Sequence, residues 1–213
     1  MKGSLIVVSA PSGAGKTSLT HAAIDRLAAI GHAVTFSVSY TTREPRPGEE
    51  DGQDYHFVSM ERFEAMIGEE AFLEHAQVFD RRYGTGRKRT LEALADGQDV
   101  VLDIDWQGAQ QVRAAYPDAV LIYVLPPSVQ VLRDRLAGRG QDSAAVIARR
   151  MEAAAAEMSH WHEYDYVIVN DDFETAVDDL IALLRAARLR QCQAADGPVG
   201  VLANTLAKKP ALP

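Results

Sequence analysis

Residues 9–17 read SAPSGAGKT. The stretch fits the phosphate-loop pattern G-x-x-x-x-G-K-[ST] except at its first place, where Ala10 stands for glycine. Before it, LIVVSA (5–10) is a short β-branched strand with apolar residues on both faces, as suits the middle of a covered parallel sheet. After it, Lys16 to about Ile30 has helical spacing, with Leu19, Ala23 and Leu27 on one stripe and Gly31 to close it. In this setting backbone N–H groups converge on one anion at a helix N-terminus. Gly13 and Gly15 permit the curl, and Lys16 places an ammonium between the β- and γ-phosphates. Thr17 offers a hydroxyl to Mg²⁺. Position 10 is where the strand enters the turn, and alanine fits there if φ stays negative.

Outward from this loop, strands and helices alternate, which implies a parallel sheet flanked by helices. AVTFSVSY (33–40) reads as a strand. The following TTREPRPGEEDGQDYHF is turn-rich and too long for a plain connection. A short helix (about 60–67), a strand (72–79), the segment RRYGTGRKR and a helix near 87–96 complete what reads as an inserted subdomain carrying function. The core resumes with strands at 99–105 and 119–125 and a helix around 108–115 between them. Residues 126–158 give two helices around a glycine-rich break, with five arginines between 133 and 150. A last strand (165–170) precedes a helix (172–190) whose apolar face holds Phe173, Val177, Leu180, Ile181 and Leu184. The remainder loses periodicity and gains glycine and proline, so a loosely ordered tail is expected.

The 213 residues suffice for one α/β domain with inserted subdomains. No apolar run approaches the roughly 20 residues that span a bilayer. The N-terminus reads as a first strand, not an export signal, and the single Cys192 permits no intrachain disulfide. A cytoplasmic location is the expectation. The net charge of −8 argues against a nucleic-acid polymer as partner but not against small anions. His21, His32, His56, His75, His160 and His162 show no metal-ligand spacing.

From FSVSYTTREPRPGEEDGQDYHFV (36–58) onward, the chain closely resembles the guanylate kinase family. The likeness runs through FLEHAQV (72–78), YGT (83–85), VLDIDWQGAQQV (101–112), PPSVQVLRDRLAGRG (126–140) and VIVND (167–171), and so covers nearly all of residues 3–190. The resemblance implies an α/β P-loop NTPase fold that transfers a phosphoryl group from Mg²⁺-bound ATP to GMP, and to dGMP with it. It implies a core of residues 1–37, 93–127 and 160–190, a GMP-binding insert at 38–92, and an ATP lid at 128–159, with 191–213 as the tail. Oligomeric state is not readable.

The site residues follow from the same likeness. Ala10, Pro11, Ser12, Gly13, Ala14, Gly15, Lys16, Thr17 and Ser18 cradle the ATP phosphates, and Asn170 contacts adenine. Arg135, Arg139 and Arg150, with Arg149 beside it, reach the phosphates from the lid, and with Lys16 and Arg43 they form the catalytic set. Arg43 and Arg46 grip the GMP phosphate with guanidinium forks, while Tyr55 and Tyr83 add hydroxyl donors. Guanine presents N1–H and N2–H side by side, which a carboxylate accepts together. Glu74 supplies that carboxylate and Thr85 a hydroxyl near O6, with Ser39 and Asp105 beside the base. Asp103, grouped with the GMP-binding residues, holds a water of Mg²⁺, and helix capping or turn chemistry around Gly108 is the plainer reading of it.

Two rival functions fit parts of the pattern. One is a sister P-loop kinase acting on a ribose bisphosphate. The other is a non-catalytic guanylate-kinase-like module that binds proteins. Three departures from the family pattern stand out: Ala10, Arg82 where a second tyrosine is common, and Gly86 where serine or proline is usual.

Overall fold

The computed structural model describes residues 2–78, 80–137 and 144–190, together with 201, 202 and 205. The chain runs β1 (Leu5–Ser9), α1 (Lys16–Ala29), β2 (Val34–Phe36), β3 (Tyr40–Thr41), β4 (His56–Phe57), α2 (Met60–Gly68), β5 (Phe72–Val78) and β6 (Arg81–Gly86). It continues with α3 (Arg87–Ala95), β7 (Asp99–Asp103), α4 (Trp106–Ala115), β8 (Val120–Leu125), α5 (Val129–Ala137) and α6 (Ala144–Met158). A 3-10 turn (Trp161–Glu163), β9 (Tyr166–Val169) and α7 (Phe173–Ala187) complete it.

Five strands form a parallel sheet in the order β2-β7-β1-β8-β9. Alternation along β1 divides the core. Ile6 and Val8 join α1 and α7 on one face, through Leu19, Leu27, Val177 and Leu180. Leu5 and Val7 join Leu94, Val112 and Leu121 on the other. Both faces are covered, so β1 is buried at every position, as its unbroken apolar run requires. Phe173 departs from expectation. It opens α7 and stays 39% exposed, and the buried stripe begins at Ala176 and Val177.

A second, four-stranded sheet has the order β4-β3-β6-β5. The strand expected over 33–40 therefore divides. Val34–Phe36 pairs with β7, Ser37 N–H still donates to Val101 O, and Tyr40 then pairs with Gly84. Apolar alternation continues across the division, so it does not mark where the partner changes. RRYGTGRKR contains β6, which pairs with β5 antiparallel from Phe72↔Gly86 to Val78↔Arg81. α4 begins at Trp106, two residues earlier than expected, because Asp105 caps it by accepting the Gly108 N–H.

Candidate active site

The C-terminal ends of β1 and β7 open into a cleft of about 340 Å³, which the small sheet faces from the other side. Crossovers leave β1 toward β2 on one side and reach β8 on the other, the switch point at which open α/β sheets take ligands. Among the described residues no His, Cys, Asp or Glu cluster of three or more could hold a metal by itself. None of the helices described is long and apolar enough to cross a membrane.

The phosphate loop joins β1 to α1. Gly13 and Gly15 lie in the left-handed region, at φ of 92° and 90°. A Cβ at Gly15 would come within 2.7 Å of Asn170 Nδ2. Glu70 is the only non-glycine with positive φ among the described residues, so Ala10 keeps negative φ and its methyl is tolerated. Ala10, Ser12, Gly13 and Gly15 line the cleft with Lys16, Thr17 and Ser18. Lys16 pairs with Asp103, which closes β7, and also donates to Ile104 O at 3.2 Å. Thr17 donates to the other Asp103 oxygen at 2.9 Å. Ala14, itself buried, turns its carbonyl away from the cleft toward Asn170 Nδ2 (2.8 Å) and Arg135 Nη1 (3.2 Å). In this structure Asn170 and Arg135 thus hold the loop from behind.

Opposite the loop, β5 presents Glu74, which is 3% exposed. Its Oε1 accepts the Thr85 hydroxyl at 2.5 Å, from the residue paired with it across β6. Thr85 is fully buried, and its single proton is given to Glu74 rather than turned to the cleft. Burial pushes the Glu74 carboxyl up to about 7, with Asp105 adding to the rise, while the Thr85 bond works against it. Gly108 packs against this acid, since a Cβ there would overlap Glu74 Oε2. Ser39 and Asp105 line the same cleft. Asp105 also caps α4 through the Gly108 N–H and accepts Gln107 Nε2 at 2.9 Å.

The arginine pair is asymmetric. Arg46 lines the cleft, and its side chain is 66% exposed. Arg43 is only 13% exposed and forks onto Glu49, with both N–H···O distances at 2.8 Å. Its guanidinium lies 5.3 Å from the Tyr55 ring centre. The ion pair holds the Glu49 carboxyl below the usual carboxylate range. Tyr55 and Tyr83 line the cleft, and burial pushes the Tyr55 phenol up to about 12, which keeps it a neutral donor. Arg82 turns outward to Glu64 at 3.0 Å, while its backbone holds Thr41 and Thr42 of the neighbouring strand and turn. Gly86 fits beneath the Tyr40 ring, 3.1 Å from where a Cβ would lie.

Arg139 lies outside the described residues. Arg150 stands half-exposed on α6. Three residues of the site escape sequence reasoning: Glu49, Gly108 and Glu157. Glu49 carries a weak signal, its spacing of three from Arg46. Glu157 touches Ser12 across 145 residues, and no local pattern announces that.

A phosphate loop at the switch point of a parallel sheet, faced by a small sheet that buries an acid, defines a P-loop kinase of small phosphorylated acceptors. The family model described as guanylate kinase matches residues 2–187. The guanylate kinase of Nitrosococcus oceani is 57% identical over 89% of this chain and 91% of its own length. That of Salmonella choleraesuis is 58% identical, covering 89% and 90%. The crystal structure of guanylate kinase from Anaplasma phagocytophilum superposes with a TM-score of 0.80 at 32% identity, over 99% of this chain and 97% of that one. The chain belongs to the guanylate kinase family.

Proposed function

We infer that the protein transfers the γ-phosphoryl group of ATP to GMP, and to dGMP, giving the nucleoside diphosphate and ADP by direct in-line displacement. One observation carries this reading: a buried acid, oriented by Thr85, shares a single cleft with Lys16 and the phosphate loop. In this reading Glu74 accepts from guanine N1–H and N2–H, while Arg43, Arg46, Tyr55 and Tyr83 take the acceptor phosphate. An acceptor-phosphate oxygen attacks the γ-phosphorus, the bond to the bridging oxygen breaks, and ADP leaves. A phosphate dianion is already nucleophilic at neutral pH, so the chain's work is positioning and charge neutralisation. The mutual contact of the Thr17 hydroxyl and the Asp103 carboxylate fits a hard cation carried in with ATP. Thr17 would hold Mg²⁺ directly and Asp103 through a water, and the ion would neutralise charge on the β- and γ-phosphates.

In this reading the labour divides as the family likeness implies: core at 1–37, 93–127 and 160–190, acceptor-binding insert at 38–92, lid at 128–159. The paired Lys16, Thr17 and Asp103 speak against a non-catalytic module, and Glu74 with Thr85 speaks against a ribose bisphosphate acceptor. A coupled ADP-release assay with GMP, dGMP, AMP and ribose phosphates tests the reading. Turnover with GMP and dGMP alone, abolished by Lys16→Ala, is expected. Equal turnover with AMP or with a ribose phosphate overturns it.

A further inference from the structure

Glu157 sits in the last turn of α6, and its carboxylate reaches into the phosphate loop. Its Oε2 accepts the Ser12 N–H at 3.1 Å, and the residue lines the cleft alongside Lys16 and Asp105. Backbone N–H groups of such a loop are the donors that receive nucleotide phosphates. Here one of them is already taken, by an anion of the protein's own.

The carboxylate is held there by a rigid support. The fully buried Tyr123 of β8 donates its hydroxyl to Glu157 O at 2.9 Å, which fixes the end of α6 to the sheet. One turn earlier, Ala154 packs with Leu132 and Leu136 of α5. Those two leucines also abut the loop itself, lying 3.1–3.3 Å from where a Cβ on Gly13 would stand. The loop, α5 and α6 therefore form one contact system.

Charge makes the arrangement costly once phosphates arrive. Asp103 pairs with Lys16, and Glu74, Asp105 and Glu157 line the same cleft, so four acids share it with that ammonium. Like charges at short range in a partly buried site repel strongly. Burial pushes the Glu157 carboxyl upward, which is the mark of a charge kept from water.

We propose that Glu157 is a positioning residue that occupies the Ser12 N–H as an internal anion and yields it to the donor nucleotide. The proposal rests on the kinase reading only in that the loop takes a nucleotide triphosphate.

The test is calorimetric titration with Mg²⁺ and β,γ-imido-ATP, comparing the wild type with Glu157→Gln. The glutamine keeps an acceptor for Ser12 and removes the charge. A five- to tenfold tighter Kd for the analogue is expected, with the Kd for GMP unchanged. An unchanged or weaker analogue Kd overturns the proposal, because a purely structural tie would not respond to charge alone. Amide exchange at Ser12 gives a second reading. Protection is expected in the wild type with and without the analogue, and in Glu157→Ala only with it. Protection of nucleotide-free Glu157→Ala equal to the wild type's also overturns it. Neither measurement involves acceptor turnover, so failure here is distinct from failure to phosphorylate GMP.

Discussion

Among the described residues two acids are buried, Asp99 and Glu74, and their surroundings differ in kind. Asp99 opens β7 at the N-terminal edge of the large sheet and is fully buried. One of its oxygens accepts the Ser4 N–H at 2.8 Å, the other meets His32 Nε2 at 2.8 Å, and Arg188 lies 3.7 Å away. Glu74 is almost as buried, yet its side-chain partner is the Thr85 hydroxyl, and its second oxygen meets the backbone of Gly108 and the cleft. Buried polar groups are costly unless paired. A carboxylate whose partners come from three separate segments ties the fold together. Glu74, whose hydroxyl partner is the facing Thr85, lies at a cleft wall, where in the proposed reading it meets donors that arrive with a ligand.

The contrast makes graded predictions. Glu74→Ala is expected to lower kcat/KM for GMP by about a thousandfold, the scale on which buried hydrogen-bonding sites discriminate. Steady-state kinetics should show this with the KM for ATP nearly constant. Asp99→Ala should do the reverse, costing about 3 kcal/mol in urea unfolding by leaving its partners buried and unpaired, with both KM values unchanged. If Asp99→Ala instead impaired GMP binding, the separation of roles would fail. Gly108→Ala tests the wall against which Glu74 rests. Its methyl would displace that carboxylate and raise the KM for GMP about tenfold, roughly 1.4 kcal/mol, while sparing ATP.

The smallest expected effect is of pH. In the proposed reading guanine needs Glu74 ionised, and burial pushes that carboxyl up to about 7. GMP affinity should therefore weaken several-fold as pH falls from about 7.5 to 6. Glu74→Gln should retain only the dependence due to the acceptor phosphate, and identical profiles for the two proteins would exclude the assignment. The sign for stability is opposite to that of an ordinary paired acid. The folded carboxyl lies above its usual 4.5, so the folded state holds the extra proton, and stability is lost as pH rises from there toward about 7.

The phosphate loop and its flanking elements were legible because everything they need is contiguous: strand, two glycines, Lys16, Thr17, helix. The stripe of Leu19, Ala23 and Leu27 is buried as its spacing requires. β6 was not legible as a strand, since RRYGTG is polar and holds two glycines, and its extended form depends on partners in β3 and β5. The division at Ser37–Ser39 was hidden for the same reason. Among site residues, Glu74 reads as an ordinary surface acid until the family likeness supplies its role. The engagements of Arg43 by Glu49, of Arg135 by Ala14 O and of Ser12 by Glu157 are made by folding, two of them across more than a hundred residues.

The small sheet joins the large one through two covalent crossings, the three residues between β2 and β3 and the direct passage of β6 into α3. The crossings are neighbours, because Tyr40 pairs with Gly84 and its ring lies over Gly86. Segments whose ends meet in this way can be inserted or exchanged without disturbing their host. In the proposed reading, the part of the chain that takes the acceptor base is thus a unit suited to exchange. Exchanging residues 38–86 for the matching stretch of a relative offers a route to altered acceptor choice on an unaltered energy-supplying core.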